Sequence, residues 1–223
     1  MILEANSKGF SKLIIDLRNN VGGSEMICLQ LLYHLTEAEN LKDYSMYTKD
    51  LKFYSHYFED KTKDSVSSYR SKNILSSNSD SLIFMGFSNS DSTLFDRITD
   101  PESPYYIPKN RPIFKGEVVI ISNYSTHSAG ALFTTLLQDN KIGKVIGTEL
   151  ANNPTGASGW TPFKLPNSKL EASTASEYLV RPDKTKSDIF VPDMEKVMSV
   201  EDVLKGRDPL FEKALEILSE RDR

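Results

Sequence analysis

Two stretches of the chain share one pattern, in which an apolar run of strand length is followed by a polar turn and then by apolar residues at helical spacing. The first stretch starts with SKLIIDL, turns at RNNVGGS and predicts a helix whose apolar positions are Ile27, Leu31, Leu32 and Leu35. The second starts with GEVVIIS, turns at NYSTHS and predicts a helix whose apolar positions are Ala129, Leu132, Phe133, Leu136 and Leu137. KVIGTEL then predicts another strand. This alternation favours an α/β fold with a mainly parallel sheet, in which ligands bind at the carboxyl ends of the strands.

The segment between these two units, residues 38–112, is rich in Ser, Asp, Lys and Tyr and has no long regular period. A structureless loop of that length is improbable inside a compact domain, so we interpret the segment as an insertion or lid with one or two short elements. Further on, FKLPNSKLEAST predicts a β-hairpin and EYLVRPD predicts a strand. The last predicted helix is capped by Asp208, begins at Pro209 and has its apolar stripe at Phe211, Ala214, Leu215 and Leu218.

Composition and charge exclude several classes of function. The formal net charge of −4 comes from 27 basic and 31 acidic side chains spread along the chain, so no basic block would attract nucleic acid or anionic lipid. No window reaches the roughly 18 to 20 apolar residues that a membrane-spanning helix needs. One cysteine and three histidines without metal-ligand spacing predict neither a disulfide framework nor a metal site, and we expect no cofactor.

Ser128 stands at the second strand-to-helix turn and is a candidate nucleophile. Its hydroxyl could project from the sheet edge beside the Ala129 N–H at the helix N-terminus, a geometry that suits acyl transfer. A serine before a helix is also a common N-cap, and taken alone this pattern favours that simpler interpretation. The G-x-S-x-G pattern of α/β-hydrolases is only half met, and no histidine follows Ser128. His127 is a poor candidate base, because adjacent side chains diverge.

Gly22 and Gly23 directly follow the LIIDLRNN segment and form the second candidate feature. A glycine pair at a strand end permits positive φ and close approach of the backbone, so one of its amides could supply part of an oxyanion hole. The alternative is a tight turn before a helix. For Asp16 and Arg18, in the same stretch, we expect a structural ion pair.

Taken together, these stretches resemble the core of the tail-specific (C-terminal processing) serine peptidases, a family with tricorn-like and retinoid-binding-protein-like members. The matching pieces are LIIDLRNNVGG, GEVVIISNYSTHSAGALFTTLLQDNKIGKVIGTE, LPNSKLEASTASEYLVRPD, IFVPD and the closing helix after DPL. They cover most of residues 11–218, with about 38–112 unmatched. The resemblance implies a ClpP/crotonase-like α/β fold of stacked β-β-α units with an inserted segment. We expect residues 1–223 to be one peptidase catalytic core and the C-terminal fragment of a longer protein.

The resemblance also implies roles for individual residues. Ser128 would be the nucleophile, with the Ala129 amide and a Gly22 or Gly23 amide forming the oxyanion hole. Substrates would be unstructured polypeptides, often bound through their C-terminal end. Members with a Ser–Lys dyad have lysine where this chain has Asn153, which we assign instead to orienting the bound peptide.

Other members use a histidine from an upstream segment together with a late carboxylate. Asp188 is the nearest candidate for the carboxylate here. We expect the general base to come from an upstream domain of the same protein. The family also suggests an extracytoplasmic or membrane-anchored location.

Two further hypotheses stay open. In the first, the chain has kept the fold and lost the base, leaving a non-catalytic module that binds peptides or apolar ligands; the missing histidine and lysine motivate this hypothesis. A histidine-bearing segment upstream of Met1 would favour the peptidase, and its absence the binding module. An acyl-CoA enzyme on the same scaffold is a weaker hypothesis, because an enzyme that stabilises a thioester enolate does not need a serine at this turn.

Overall fold

The computed structural model describes residues 2–38, 41–48, 83–86, 95–159, 161–175 and 177–220. Within these residues the helices are α1 (Ile2–Ser7), α2 (Glu25–Leu35), α3 (Asp96–Thr99), α4 (Ala129–Asp139), α5 (Val200–Leu204) and α6 (Pro209–Glu220). The strands are β1 (Lys12–Asp16), β2 (Ser45–Thr48), β3 (Ile83–Gly86), β4 (Glu117–Ser122), β5 (Lys144–Gly147), β6 (Gly156–Ser158), β7 (Thr161–Lys164), β8 (Glu171–Thr174), β9 (Glu177–Val180) and β10 (Met194–Glu195).

The chain divides into two compact units, and the first consists of Met1–Lys42, Thr93–Pro154 and Pro182–Arg223. Its sheet has the order β1-β4-β5-β10, and every pair of neighbouring strands is parallel. The central strands are rich in valine and isoleucine and are buried, as expected for a parallel sheet covered by helices. The predicted parallel sheet and its three strand-forming segments are therefore confirmed.

One hydrophobic cluster of this unit lies between the sheet and α6. Its buried residues are Val119, Ile121, Ile146, Leu210, Ala214, Ile217 and Leu218. The predicted stripe of α6 is half right, because Ala214 and Leu218 are buried, whereas Phe211 and Leu215 are 43% and 48% exposed. The residues that face the sheet instead are Leu210 and Ile217, since the docking direction of a helix selects among neighbouring apolar positions.

The two other predicted helical faces have different outcomes. In α2, Leu32 and Leu35 are buried as expected, but Ile27 is 60% exposed because the first turn of the helix lies at the surface. In α4 nearly every residue is buried. Its polar side chains are satisfied within the unit: Thr134 and Thr135 donate to the carbonyls of Gly130 and Ala131.

The buried carboxylate at the end of α4 is also paired. Lys186 Nζ lies 3.0 Å from Asp139 Oδ1, and the Asp183 N–H donates to Oδ2 at 2.9 Å. A buried carboxylate without such partners would be strongly destabilising. These contacts explain how the polar C-terminal end of α4 can lie inside the first unit.

The second unit consists of Asp43–Ser92 and Thr155–Arg181. Its larger sheet has the order β3-β2-β9-β6 and is antiparallel. The predicted hairpin is confirmed as β7 and β8, with Phe163 opposite Ala172. The described part of the predicted insertion contains three short elements, β2, β3 and α3, where one or two were expected. Its residues 39–40, 49–82 and 87–94 lie outside the described part of the chain. Its extent stays a prediction.

Candidate active site

Two turns, one after β1 and one after β4, lie side by side at the carboxyl edge of the parallel sheet. β1 and β4 pair in register from Lys12 opposite Glu117 to Asp16 opposite Ile121, and the Leu17 N–H extends the ladder to the Ile121 carbonyl at 2.8 Å. The two polar turns that follow must therefore start next to each other. This edge is where the sequence pattern predicts a ligand site.

Side chains of the second turn hold it against the first. Thr126 is fully buried, and its Oγ1 donates to the Leu17 carbonyl at 2.8 Å. Asn123 Oδ1 accepts the N–H groups of Asn19 and Ser125, while its Nδ2 donates to Asn19 Oδ1. Asn19 has a φ of 60°, a conformation that asparagine tolerates better than most residues. The two turns thus form one hydrogen-bonded structure.

Ser128 occupies a strained backbone position at the start of α4. Its φ of 52° and ψ of −126° lie outside the regions that most residues adopt, and its side chain makes no capping hydrogen bond to the helix. The Ser128 N–H is held instead by Asn152 Oδ1 at 2.7 Å. The simpler interpretation of Ser128 as an N-cap is therefore not what the geometry supports. Strain of this kind at an exposed serine is typical of functional sites.

Gly22 is packed directly against Ser128. A Cβ added to Gly22 would lie 2.6 Å from Ser128 Cβ and 3.1 Å from both Ser128 Oγ and the His127 carbonyl oxygen. Gly22 has a φ of 103°, so both its conformation and its surroundings require glycine. The Gly22 backbone therefore approaches the serine turn closely.

The amides around Ser128 differ in their availability. The Gly22 N–H donates to Asn20 Oδ1 at 2.9 Å, whereas no acceptor is found for the Gly23 N–H in the described part of the chain. The Ala129 N–H belongs to the first turn of α4, where N–H groups have no partner inside the helix. The Gly23 and Ala129 N–H groups, each one residue after a member of the Gly22–Ser128 contact, are therefore the available donors in these two turns.

The structure leaves the base unassigned. Among the described residues no hydrogen bond is found for Ser128 Oγ, and His127 is exposed without a side-chain hydrogen bond. Asp188 is exposed and Asn153 is exposed, and neither makes a hydrogen bond within the described ranges. The roles expected for these two residues stay predictions.

Two site residues were not found from the sequence, Asn20 and Asn152. Asn20 stands two positions before Gly22, and an asparagine at that spacing is a signal for a side-chain turn that accepts the N–H two residues on. Asn152 is adjacent to Asn153, and local sequence does not indicate which member of such a pair faces the neighbouring turn.

The ion pair expected beside the first turn is confirmed and includes a third member. Arg18 donates to Asp16, with an Nη2–Oδ2 distance of 2.5 Å, and to both carboxylate oxygens of Asp208 at 2.7 and 2.9 Å. The hydrogen bond to Asp16, followed by that to Asp208, raises the pKa of the Arg18 guanidinium. The same bond to Arg18 is the main cause of a lowered pKa at Asp208. This cluster joins the end of β1 to the start of α6.

A cleft of about 480 Å³ opens beside this cluster in the first unit. Polar groups of both turns line it, together with apolar residues that follow β10; its lining includes Asn19, Asn123, Tyr124, Val197, Met198 and Leu210. In the described residues, no group of acidic, histidine or cysteine side chains is arranged to hold a metal ion. Nor does that part of the chain contain a helix long and apolar enough to cross a membrane.

Comparison with known proteins agrees with this geometry. The sequence profile of peptidase family S41 matches residues 1–195. The chain belongs to peptidase family S41. The resemblance that the sequence motifs indicate is thereby confirmed, and the fold is the ClpP/crotonase-like α/β fold of that family.

Solved structures support the same fold. A candidate peptidase from Parabacteroides merdae aligns with a TM-score of 0.63 and 20% identity, over 97% of this chain and 55% of that one. A serine-to-alanine mutant of CPAF aligns with a TM-score of 0.61 and 17% identity, over 97% of this chain and 44% of that one. CPAF complexed with lactacystin aligns with a TM-score of 0.56 and 18% identity, over 98% of this chain and 44% of that one. This S41 chain spans about half the length of these structures. No curated protein sequence matches it.

Proposed function

We propose that this chain is the catalytic core of a serine peptidase that hydrolyses polypeptides through an acyl-enzyme on Ser128. The observation that carries the proposal is the backbone of Ser128, which is strained, exposed and packed against the Gly22 backbone at the N-terminus of α4. Membership of a peptidase family supports the reaction class. The resemblance to tail-specific members supports unstructured polypeptides, bound through their C-terminal end, as the substrate class.

In the proposed reaction, Ser128 Oγ attacks the carbonyl carbon of the scissile bond and gives its proton to a general base. The electron pair of the carbonyl moves onto its oxygen, where the Gly23 and Ala129 N–H groups stabilise the negative charge. The C–N bond then breaks, the amine leaves with the proton, and water hydrolyses the resulting ester. The dipole of α4 stabilises the same negative charge.

The general base is proposed to come from an upstream domain of the same protein. Two facts support this: the described residues provide no hydrogen-bonding partner for Ser128 Oγ, and the chain spans about half of the related structures. We keep Asp188 as the proposed late carboxylate and Asn153 as a proposed contact for bound peptide. Both assignments rest on the family resemblance.

The test is covalent labelling of the full-length protein, and of residues 1–223 alone, with a serine-reactive fluorophosphonate probe. Mass spectrometry should find the label on Ser128 of the full-length protein and no label in Ser128→Ala. Ser125→Ala removes an exposed hydroxyl from the same turn and should label like the wild type. Ser128→Ala should keep the melting temperature within a few degrees, since its hydroxyl makes no capping bond.

The second candidate is a non-catalytic module that binds peptides or apolar ligands. It is favoured by the same missing partner of Ser128 Oγ among the described residues. The labelling experiment separates the two functions, because a full-length protein that binds peptide and stays unlabelled would contradict the peptidase proposal. Label on residues 1–223 alone would instead mean that the chain contains its own base.

A further inference from the structure

We propose that Asn20 is a positioning residue for the Ser128 site: it engages the Gly22 amide, leaves the Gly23 amide for the oxyanion and links both turns. This inference rests on the proposed function, because it concerns the amides that would stabilise the oxyanion. Asn20 itself would touch neither substrate nor the reacting atoms. Its effect would be transmitted through Gly22, Gly23 and the serine turn.

The first contact selects between the two glycine amides. Asn20 Oδ1 accepts the Gly22 N–H at 2.9 Å, the bond of an asparagine side-chain turn. An N–H group that donates inside the turn is not directed at a substrate carbonyl. The next amide is that of Gly23. Gly22 has a φ of 103° and Gly23 has a φ of 151°. No acceptor is found for it among the described residues, so it is the available donor of the pair.

The second set of contacts reaches the other turn on both sides of Ser128. The Asn20 carbonyl accepts the His127 N–H at 2.8 Å. A Cβ added to Gly130 would lie 2.6 Å from Asn20 Oδ1 and 3.2 Å from its Cγ, so the Asn20 side chain lies directly on the Gly130 backbone. Asn20 therefore contacts the residue before Ser128 and the second residue after it.

Thr126 and Asn123 also join the two turns, but among these groups the Asn20 side chain contacts both Gly22, next to the first proposed donor, and Gly130, next to the second. The Gly23 amide belongs to the first turn and the Ala129 amide to the second. Both must lie about 3 Å from one oxygen atom to stabilise its charge, and losing one such donor costs about 100-fold or more in rate. An alanine at position 20 would remove the acceptor of the Gly22 N–H and leave that amide free to rotate towards the site.

The test measures the second-order rate of fluorophosphonate labelling at Ser128 in the full-length protein. Asn20→Ala should label at least about tenfold more slowly than the wild type, since it displaces a donor without deleting it. Asn20→Ser should recover part of the rate, because a serine hydroxyl accepts the same N–H more weakly.

The matched control is Asn140→Ala. It removes an asparagine that makes three side-chain hydrogen bonds, to Lys42 and Leu136, at the opposite end of α4. It should lower the melting temperature and keep the wild-type labelling rate.

Wild-type labelling at Ser128 with an unchanged rate in Asn20→Ala would overturn this inference and leave the proposed function standing. Equal slowing in Asn140→Ala and Asn20→Ala would also overturn it, because the loss would then come from general destabilisation. An unlabelled wild-type protein would overturn the proposed function and this role together.

Discussion

Replacing Gly22 by alanine should damage both the stability and the reactivity of the Ser128 site. The added methyl carbon would lie 2.6 Å from Ser128 Cβ, a separation that real Cβ atoms essentially never show. Ser128 Cβ is not the end of a flexible side chain, because it is attached directly to a backbone that is already strained. The backbone of one turn or the other must therefore move.

The magnitude follows from two separate terms. Holding alanine at a φ of 103° costs about 1 to 3 kcal/mol, as for other residues in sparsely populated backbone regions. Forcing a methyl group into a packed contact costs about 1 to 3 kcal/mol more. Gly206→Ala is the matched control, since Gly206 has a φ of 65° and nothing within 4 Å of its added Cβ. It should lose only about 1 to 2 kcal/mol, the cost of the left-handed conformation.

Urea unfolding measures the first effect and fluorophosphonate labelling measures the second. We expect Gly22→Ala to lose more unfolding free energy than Gly206→Ala and to label Ser128 more slowly at a temperature where both variants are folded. If Gly22→Ala matched its control in stability and the wild type in labelling rate, the close packing of the Gly22 backbone on Ser128 would be refuted.

Two further predictions concern the surroundings of the site. Asn152→Ala should slow labelling of Ser128 more than Asn153→Ala does, because only Asn152 accepts the Ser128 N–H; equal labelling rates would contradict this assignment. Arg18→Gln should remove the hydrogen bond that lowers the pKa of Asp208. In the wild type this bond stabilises the folded protein above about pH 4, the ordinary pKa of aspartate. The stabilisation is lost as the pH falls towards the lowered pKa of Asp208. Urea unfolding at several pH values should therefore show the wild type exceeding Arg18→Gln most near neutral pH, with the difference shrinking in acid; a difference independent of pH would count against this ion pair.

A continuous apolar run predicted its strand well, whereas a helical apolar period predicted the buried residues of its helix only in part. β4 is a continuous valine and isoleucine run and was predicted within one residue of its observed bounds, because only a buried strand suits such a run. The apolar positions of α6 were half wrong, since Phe211 and Leu215 match the helical period and yet are largely exposed. A helical period identifies a face of a helix, but the direction from which the sheet approaches decides which edge of that face is buried.

The sequence by itself determined the two strand–turn–helix units, the glycine pair and the serine turn, because strand runs, glycine and helix starts depend on local preferences of the chain. Only the tertiary structure decided how these turns meet. The choice of Asn152 over Asn153 depends on where the chain runs after β5, which pairs with β4. The contact of Gly22 with Ser128 depends on the parallel pairing of β1 with β4. That pairing joins residues about a hundred positions apart, and hydrogen bonds across such a separation leave no trace in local composition or period.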